Sequence, residues 1–417
     1  MTLNTVWAEI PMSDTAKNTK NPIRGLLTAG VRPQSTPRST KSIINMSMGD
    51  PTVYGNLKTP VGVLEAMHKH LDSYKGHGYG PATGLNVARQ ALADKYSDPE
   101  NGVNYTSDDT FLATGGSGAI ELAMAALCGT GDSILIPRPG FTLYKTQAVS
   151  RGIDAREYDL LPENNWQADL AQMDSLIDST TKAILINNPS NPCGSNWSKQ
   201  HILDIIAIAE KHRVPIISDE MYEQLVFSGQ VFYSTASLSK NVPVLTIGGL
   251  AKIHLVPGWR IGWVIVHDPI NVMNSVKAAL VNLCAILNGP NTTVQLAMPE
   301  IFFGDFNAAH LDFLKKTLEE NARLVEKKAN SIKGLRAITP QGAMYVMILF
   351  DPDVFDDSIN NDSDLFHTLL WEENVEILPG DIFGLKNSMR IVIAPPKEIL
   401  AEAFDRIETF CKRHYKN

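Results

Sequence analysis

From about residue 60 to 300, short apolar runs alternate with longer stretches in which apolar positions recur every three or four residues. The runs DTFLAT, SILIP, KAILINN, VPIISD, PVLTIGG and RIGWVIV are short and nearly unbroken, the pattern of strands covered on both faces. Between most of them lie helix-length segments such as AIELAMAAL and SKQHILDIIAIAEKHR. In the second, Ser198 stands where an N-cap belongs, and Ile202, Ile205, Ile206 and Ala209 share one apolar face. Such alternation predicts an α/β fold: a largely parallel sheet with helices on both sides.

The texture changes near residue 305. FNAAHLDFLKKTLEENARLVEKKANSI predicts a long charged helix, and GAMYVMILF a strand. A helix (SDLFHTLLWEEN), two short strands (VEILP, SMRIVIA) and a C-terminal helix follow, making a smaller α+β unit. The first 42 residues are rich in Thr, Ser, Asn and Pro and predict an extended arm, with NPIR (Asn21 to Arg24) its one distinctive knot. The expected division is an arm over 1–42, a large domain over 60–304, and a small domain joining 43–59 to 305–417.

Composition narrows the class. A chain of 417 residues with 44% hydrophobic and 20% charged residues can bury a large core, and is neither disordered nor collagen-like. With 37 Lys+Arg against 45 Asp+Glu, the net charge of -8 argues against a nucleic-acid partner. No apolar run reaches the roughly 18 residues of a membrane span. Cys128, Cys193, Cys284 and Cys411 form no CxxC pair and no disulfide framework, and the N-terminus has neither signal-peptide nor transit-peptide character. A cytoplasmic enzyme is the expectation.

The chemistry gathers at strand ends. ATGGSGAIELAMAAL is strand, glycine-rich turn and helix, so free first-turn N–H groups and the Ser117 hydroxyl can cradle a phosphate. No GK[ST] follows, so it is not a Walker A loop. Asp219 ends the PIISD strand, and Tyr222 lies just beyond it. Lys252 follows the PVLTIGG strand, and a lysine desolvated there is nucleophilic toward an aldehyde. Asn191 precedes Pro192, where a cis peptide is possible, and Phe141 follows SILIP. Taken singly, each has a plain alternative: a tight turn, an N-cap, a solvated charge. Together they occupy the carboxyl ends of parallel strands, where open α/β sheets bind ligands. The histidines form no metal set; His254 and Cys193 read as structural.

The strings SMGDPTVYGNL, NNPSNPCGSN, SDEMY, GGLAK and LVPGWRIGW resemble those of the fold-type I pyridoxal-phosphate aminotransferases, and among them the tyrosine aminotransferase branch, over nearly the whole chain. The resemblance implies a large domain with a mostly parallel seven-stranded sheet, a small α+β domain, a homodimer and pyridoxal 5'-phosphate as cofactor. It implies that Lys252 binds the cofactor's aldehyde, that Asp219 pairs with the pyridine nitrogen, and that Tyr222 and Asn191 bond the phenolic oxygen. Phe141 matches the ring stacked on the pyridine. Gly116, Ser117 and Gly118 match the phosphate loop, Arg260 the phosphate's arginine, and Tyr79 a tyrosine reaching the neighbouring subunit's phosphate. Arg390 matches the clamp on the substrate's α-carboxylate, and Gly49 a residue closing over it. Gly249 stands where many relatives carry a hydroxyl residue, and Ile253-His254 is an unusual pair after the lysine.

Aspartate-selective relatives use a second arginine from across the dimer. The matching stretch, LCAILNGPNTTVQLA, has none. The expected donor is therefore L-tyrosine, with Asn21, Asn288, Asn291, Leu287 and the neighbourhood of Tyr54 forming the side-chain pocket, and a 2-oxo acid such as 2-oxoglutarate or pyruvate as acceptor. The rivals are an alanine- or aspartate-type aminotransferase, a carbon–sulfur lyase, a non-catalytic phosphate-ligand binder and a nucleotide-binding α/β protein.

Overall fold

Strands buried on both faces send successive side chains into opposite layers, and the central strands do so. Ala183 and Leu185 pack with Ala119, Ala123 and Met124 of helix Gly115–Leu127. Ile184 and Ile186 pack with Ile202, Ile205 and Ile206 of helix Lys199–His212. The computed structural model describes residues 10–29, 34 and 36–416. After β1 (Ile44–Asn45) come β2 (Thr110–Thr114), β3 (Ser133–Arg138), β4 (Asp154–Leu161), β5 (Gln167–Ala168), β6 (Thr181–Asn187), β7 (Ile216–Asp219), β8 (Val244–Gly249) and β9 (Ile261–His267). These last eight form one sheet in the order β2-β9-β8-β7-β6-β3-β4-β5.

The sheet has one strand more than the expected seven, because two-residue β5 pairs antiparallel with β4 at the edge. β9 also runs against its neighbours β2 and β8. That reversal matters for the site. Arg260 precedes β9, so it reaches by an amino end the same sheet edge that the other strands reach by their carboxyl ends.

The chain continues through β10 (Leu335–Ala337), β11 (Tyr345–Phe350), β12 (Val375–Glu376), β13 (Leu378–Pro379) and β14 (Ser388–Val392). A second, antiparallel sheet has the order β10-β11-β14-β13, while β12 pairs parallel with β1. β10 has only three residues and no sustained apolar run to announce it. Leu314, Leu318, Ala322 and Val325 of helix Phe306–Asn330 share a core with Leu400, Phe404 and Ile407 of helix Lys397–Arg413. Ser198 caps its helix as expected, accepting the His201 N–H at 3.2 Å. Among the described residues, no helix is long and apolar enough to cross a membrane.

The arm is only partly extended; residues 1–9, 30–33 and 35 lie outside the described residues. It holds helices Asp14–Asn18 and Pro22–Ala29. The reason is local. Asn21 Oδ1 accepts the Arg24 N–H at 3.1 Å as an N-cap would, and Pro22 takes the first helical position.

One buried amide joins the long helix to the strand that carries Arg390. Asn321, 2% exposed, donates from Nδ2 to the Ile393 and Pro395 carbonyls at 2.8 and 2.9 Å. Asn321→Ala is expected to lower stability by about 1–3 kcal/mol, because two buried carbonyls lose their donor. A urea midpoint equal to the parent's would contradict this.

Candidate active site

A cavity of about 630 Å³ opens at the shared sheet edge. Eleven expected residues line it: Asn21, Gly49, Gly116, Ser117, Phe141, Asn191, Asp219, Tyr222, Lys252, Arg260 and Arg390. A larger groove of about 800 Å³ runs along the long helix near Glu319 and Arg323, and none of the expected residues lines it.

One end of the cavity is a cradle built from glycine. Helix Gly115–Leu127 begins with Gly115 at φ 71°, and Thr114 offers no side-chain cap to its first turn. A Cβ on Gly115 would lie 2.6 Å from Arg260 Nη2, one on Gly262 2.3 Å from the Gly115 carbonyl carbon, and one on Gly116 2.3 Å from Met221 Cε. The helix start and the arginine can approach only because these side chains are missing. Arg260 donates to the Pro257 and Thr114 carbonyls at 3.1 and 3.4 Å. Uncapped N–H groups beside a guanidinium make an anion site.

Across the floor, β7 ends in Asp219, which is 5% exposed. Tyr144 Oη donates to its Oδ2 at 2.6 Å, and the Met221 N–H to its Oδ1 at 3.1 Å. Burial raises the carboxyl from 3.8 to about 6, against the lowering pull of these bonds and of Lys252. Phe141 stands edge-on to Tyr144 with ring centroids 5.6 Å apart. Half-buried Lys252 donates from Nζ to the Gly49 carbonyl.

The other end is formed by Arg390 on β14. It is 2% exposed; Nη1 donates to Asn191 Oδ1 at 3.0 Å and Nη2 to the Ser47 carbonyl at 2.5 Å. Its Nε is buried without a partner. The guanidinium carbon lies 4.6 Å from the Tyr345 ring centroid and 4.9 Å from that of Phe383. Among the described residues, no carboxylate lies within ion-pair distance of Arg390, Arg260 or Lys252. Tyr222, 4% exposed, shares a 2.8 Å hydrogen bond with Tyr345 Oη. The Asn191–Pro192 peptide is cis.

An anion cradle, a buried carboxylate, a lysine and a second anion site on one wall fit the phosphorylated pyridine aldehyde that the resemblance implies, together with an amino acid's carboxylate. Four expected residues stand apart. Gly118 lies deeper in the helix turn, outside the cavity lining, and a Cβ there would meet only ordinary contacts from 3.6 Å. Tyr79 is 95% exposed. Asn288 is the left-handed C-cap of helix Asn274–Leu287, and Asn291 the N-cap of helix Thr292–Phe303, accepting the Val294 N–H at 3.1 Å. Both asparagines serve helix ends and stay off this chain's cavity. Tyr54 is likewise engaged elsewhere, on the Asn45 backbone. His254 is buried, and burial pushes it down to about 3; burial also pushes the Cys193 thiol up, so both behave as packing residues.

Sequence reading missed Tyr144, Tyr345 and Arg24. Arg24 lines the cavity from helix Pro22–Ala29. The NPIR string was its signal, but only the helix turns it toward the cavity.

The family model for class I and II aminotransferases matches residues 41–407. Tyrosine aminotransferase of Homo sapiens is 42% identical over 413 residues, spanning 98% of this chain and 88% of that one. The Dictyostelium discoideum tyrosine aminotransferase is 40% identical over 411 residues, spanning 98% and 97%. The crystal structure of tyrosine aminotransferase from Leishmania infantum superposes with a TM-score of 0.94 at 37% identity, covering 99% of this chain and all of that one.

Asp219 generates a pH prediction. Its folded value, about 6, lies above 3.8, so between these values the folded chain binds the extra proton. Keeping the carboxylate ionised therefore opposes folding above about pH 6, and the penalty fades as pH falls toward 4. In Asn, Nδ2 can donate to the Tyr144 oxygen. Cofactor-free Asp219→Asn is expected to melt about 2–5 °C above the parent at pH 8, with the gap closing on acidification. Melting curves in which the gap widens below pH 6 would overturn this.

Proposed function

The chain belongs to the class I and II aminotransferases, and we propose that within this family it moves the amino group of L-tyrosine, and of other aromatic or neutral amino acids, to a 2-oxo acid such as 2-oxoglutarate or pyruvate. The keto product from tyrosine is 4-hydroxyphenylpyruvate. The observation that carries the reading is the pairing of two cations, Lys252 and Arg390, that no carboxylate among the described residues neutralises, on one cavity with a buried Asp219. The near full-length similarity to tyrosine aminotransferases supports the donor. So do Ile23, Leu27, Ile120 and Leu143 on the cavity wall, an apolar surface suited to an aromatic ring. Arg24 on the same wall gives a dicarboxylic oxo acid a cation for its distal carboxylate.

Like its family, the enzyme depends on pyridoxal 5'-phosphate, which supplies an aldehyde for amines and a protonated ring that accepts the electron pair left at Cα. Gly116, Ser117 and Arg260 would hold its phosphate, Phe141 its ring face, Asp219 its ring-nitrogen proton, and Tyr222 with Asn191 its phenolic oxygen. Arg390 grips the substrate's α-carboxylate with two parallel N–H groups, while Gly49 leaves room above it. That grip turns Cα toward Lys252. With the cofactor bound, Lys252 Nζ would be freed by the substrate's amine, would take the proton from Cα and would deliver it to the cofactor's former aldehyde carbon; in the reverse half-reaction it would carry a proton from that carbon to the oxo acid's carbon.

The proposal extends to a cytoplasmic homodimer. Tyr79 is 95% exposed, Ile286 74% and Leu287 65%, an aromatic and two aliphatic side chains that a second copy would cover. In that assembly Tyr79 reaches the other subunit's phosphate.

A donor-by-acceptor rate matrix on the purified protein tests the reading: tyrosine is expected to exceed aspartate by about tenfold or more in kcat/KM, a difference of about 1.4 kcal/mol. Aspartate turning over better would sink it, as would ammonia and thiol release without an oxo acid. Lys252→Ala is expected to cost about ten-thousand-fold in kcat. Tyr79→Phe is expected to lose cofactor faster on gel filtration, and retention equal to the parent's would remove Tyr79 from the site.

A further inference from the structure

Tyr345 is absent from the roles assigned above, yet it touches three residues that have one: Tyr222, Arg390 and Gly49. It is the first residue of β11 and 1% exposed. Its Oη lies 2.8 Å from Tyr222 Oη, and the two rings stand edge to face with centroids 5.7 Å apart. Its ring lies 4.6 Å beneath the Arg390 guanidinium carbon. Its hydroxyl also abuts Gly49, where a Cβ would come within 2.5 Å of Oη. Thus one side chain of the second sheet braces the phenol on one side of the cavity, the arginine on the other, and the loop whose carbonyl accepts from Lys252.

We propose that Tyr345 is a positioning residue joining the two halves of the site: its hydroxyl donates to Tyr222 and frees the Tyr222 proton for the ligand, and its ring is the platform that holds Arg390. A phenol has one proton and two lone pairs, so of two bonded phenols one donates and the other keeps its proton for a third group. Both oxygens are out of water, so the pair is settled by its surroundings. The guanidinium over the Tyr345 ring draws electron density from that ring's oxygen, making Tyr345 the poorer acceptor and the better donor. Tyr222 then accepts from Tyr345 and donates into the cavity, strengthened by the bond it receives. The charged groups facing the pair are Arg390 from β14, Asp219 from the end of β7 and Lys252 beyond β8. The ring's second task is separate: Arg390 has no carboxylate neighbour among the described residues, so its direction rests on two hydrogen bonds and on the faces of Tyr345 and Phe383.

This rests on the aminotransferase reading, and the test separates the two. Tyr345→Phe and Tyr345→Leu are made in the full-length holoenzyme. The readouts are the pH titration of bound pyridoxal phosphate's visible band, the melting temperature, and KM and kcat for L-tyrosine. A donor at the cofactor's phenolic oxygen draws that titration to lower pH. Tyr345→Phe is therefore expected to raise the midpoint by about half a pH unit while KM stays within about twofold. Tyr345→Leu is expected to raise the midpoint similarly and KM about fivefold, since the cation–ring contact is also lost. Adding Tyr345→Phe to Tyr222→Phe is expected to shift the midpoint no further than Tyr222→Phe alone. An unmoved midpoint in Tyr345→Phe, or additive shifts in the double variant, overturns the hydroxyl's role. A KM rising as much in Tyr345→Phe as in Tyr345→Leu overturns the platform. If Tyr345→Leu does not fold, Tyr345→Phe and the double variant still decide the hydroxyl. A parent protein with no cofactor band and no amino transfer would instead sink the reading beneath.

Discussion

Arg390 is a full positive charge taken out of water with no carboxylate among the described residues beside it. Moving such an ion from water costs several kcal/mol even after relaxation. Hydrogen bonds to Asn191 and Ser47 and the faces of Tyr345 and Phe383 offset part of that, and Nε remains unpaired. Burial lowers the group's pKa from its ordinary value, yet a guanidinium stays charged at any physiological pH. A structural role would have been served as well by a methionine of similar volume. Under the proposed function, the arrangement serves a substrate carboxylate that finds its donors already aimed.

The rest of the fold serves that wait. β14 lies between β11 and β13, so both flanks of the Arg390 strand are hydrogen-bonded. Asn321 fixes the chain just beyond it. The central sheet contributes the facing wall through the ends of β2, β3, β6, β7 and β8, with β9 reversed to bring Arg260 to the same edge. Neither sheet alone holds the whole site, and the side chains that meet across the join, Asn191 with Arg390 and Tyr222 with Tyr345, are hydrogen-bonded to each other.

What sequence made legible follows from this geometry. Short unbroken apolar runs and helix-length spacers reveal which segments are buried strands, and motifs at strand ends inherit their position from them. Lys252, Asp219, Asn191 and the glycine turn could be placed together for that reason. Tyr345 could not, because GAMYVMILF reads as an ordinary buried strand and its tyrosine looks like core; only the second sheet's docking gives its hydroxyl a partner. Tyr144 lies inside helix Leu143–Ser150, where nothing local marks it as the partner of Asp219. Asn288 and Asn291 show a different ambiguity: asparagine near a loop suggests a polar contact, but here a left-handed C-cap and an N-cap already claim them, and neither lines this chain's own cavity. Gly118 was grouped with its neighbours by adjacency, and a helix turns successive residues to different sides.

The site is also where local rules of stability are broken together. A helix starts on glycine with no side-chain cap, a carboxylate is buried until its proton affinity rises, an arginine is buried without a counter-ion, and a lysine turns to a carbonyl instead of an acid. Each alone has a bland cause. A chain that tolerates all of them within one cavity, while pairing most of its other buried charges, is holding unsatisfied valences for groups it does not itself contain. The cavity gathers an anion cradle, a buried carboxylate, an amine and a buried guanidinium, and it is this gathering, more than any one residue, that ties the chemistry to the fold.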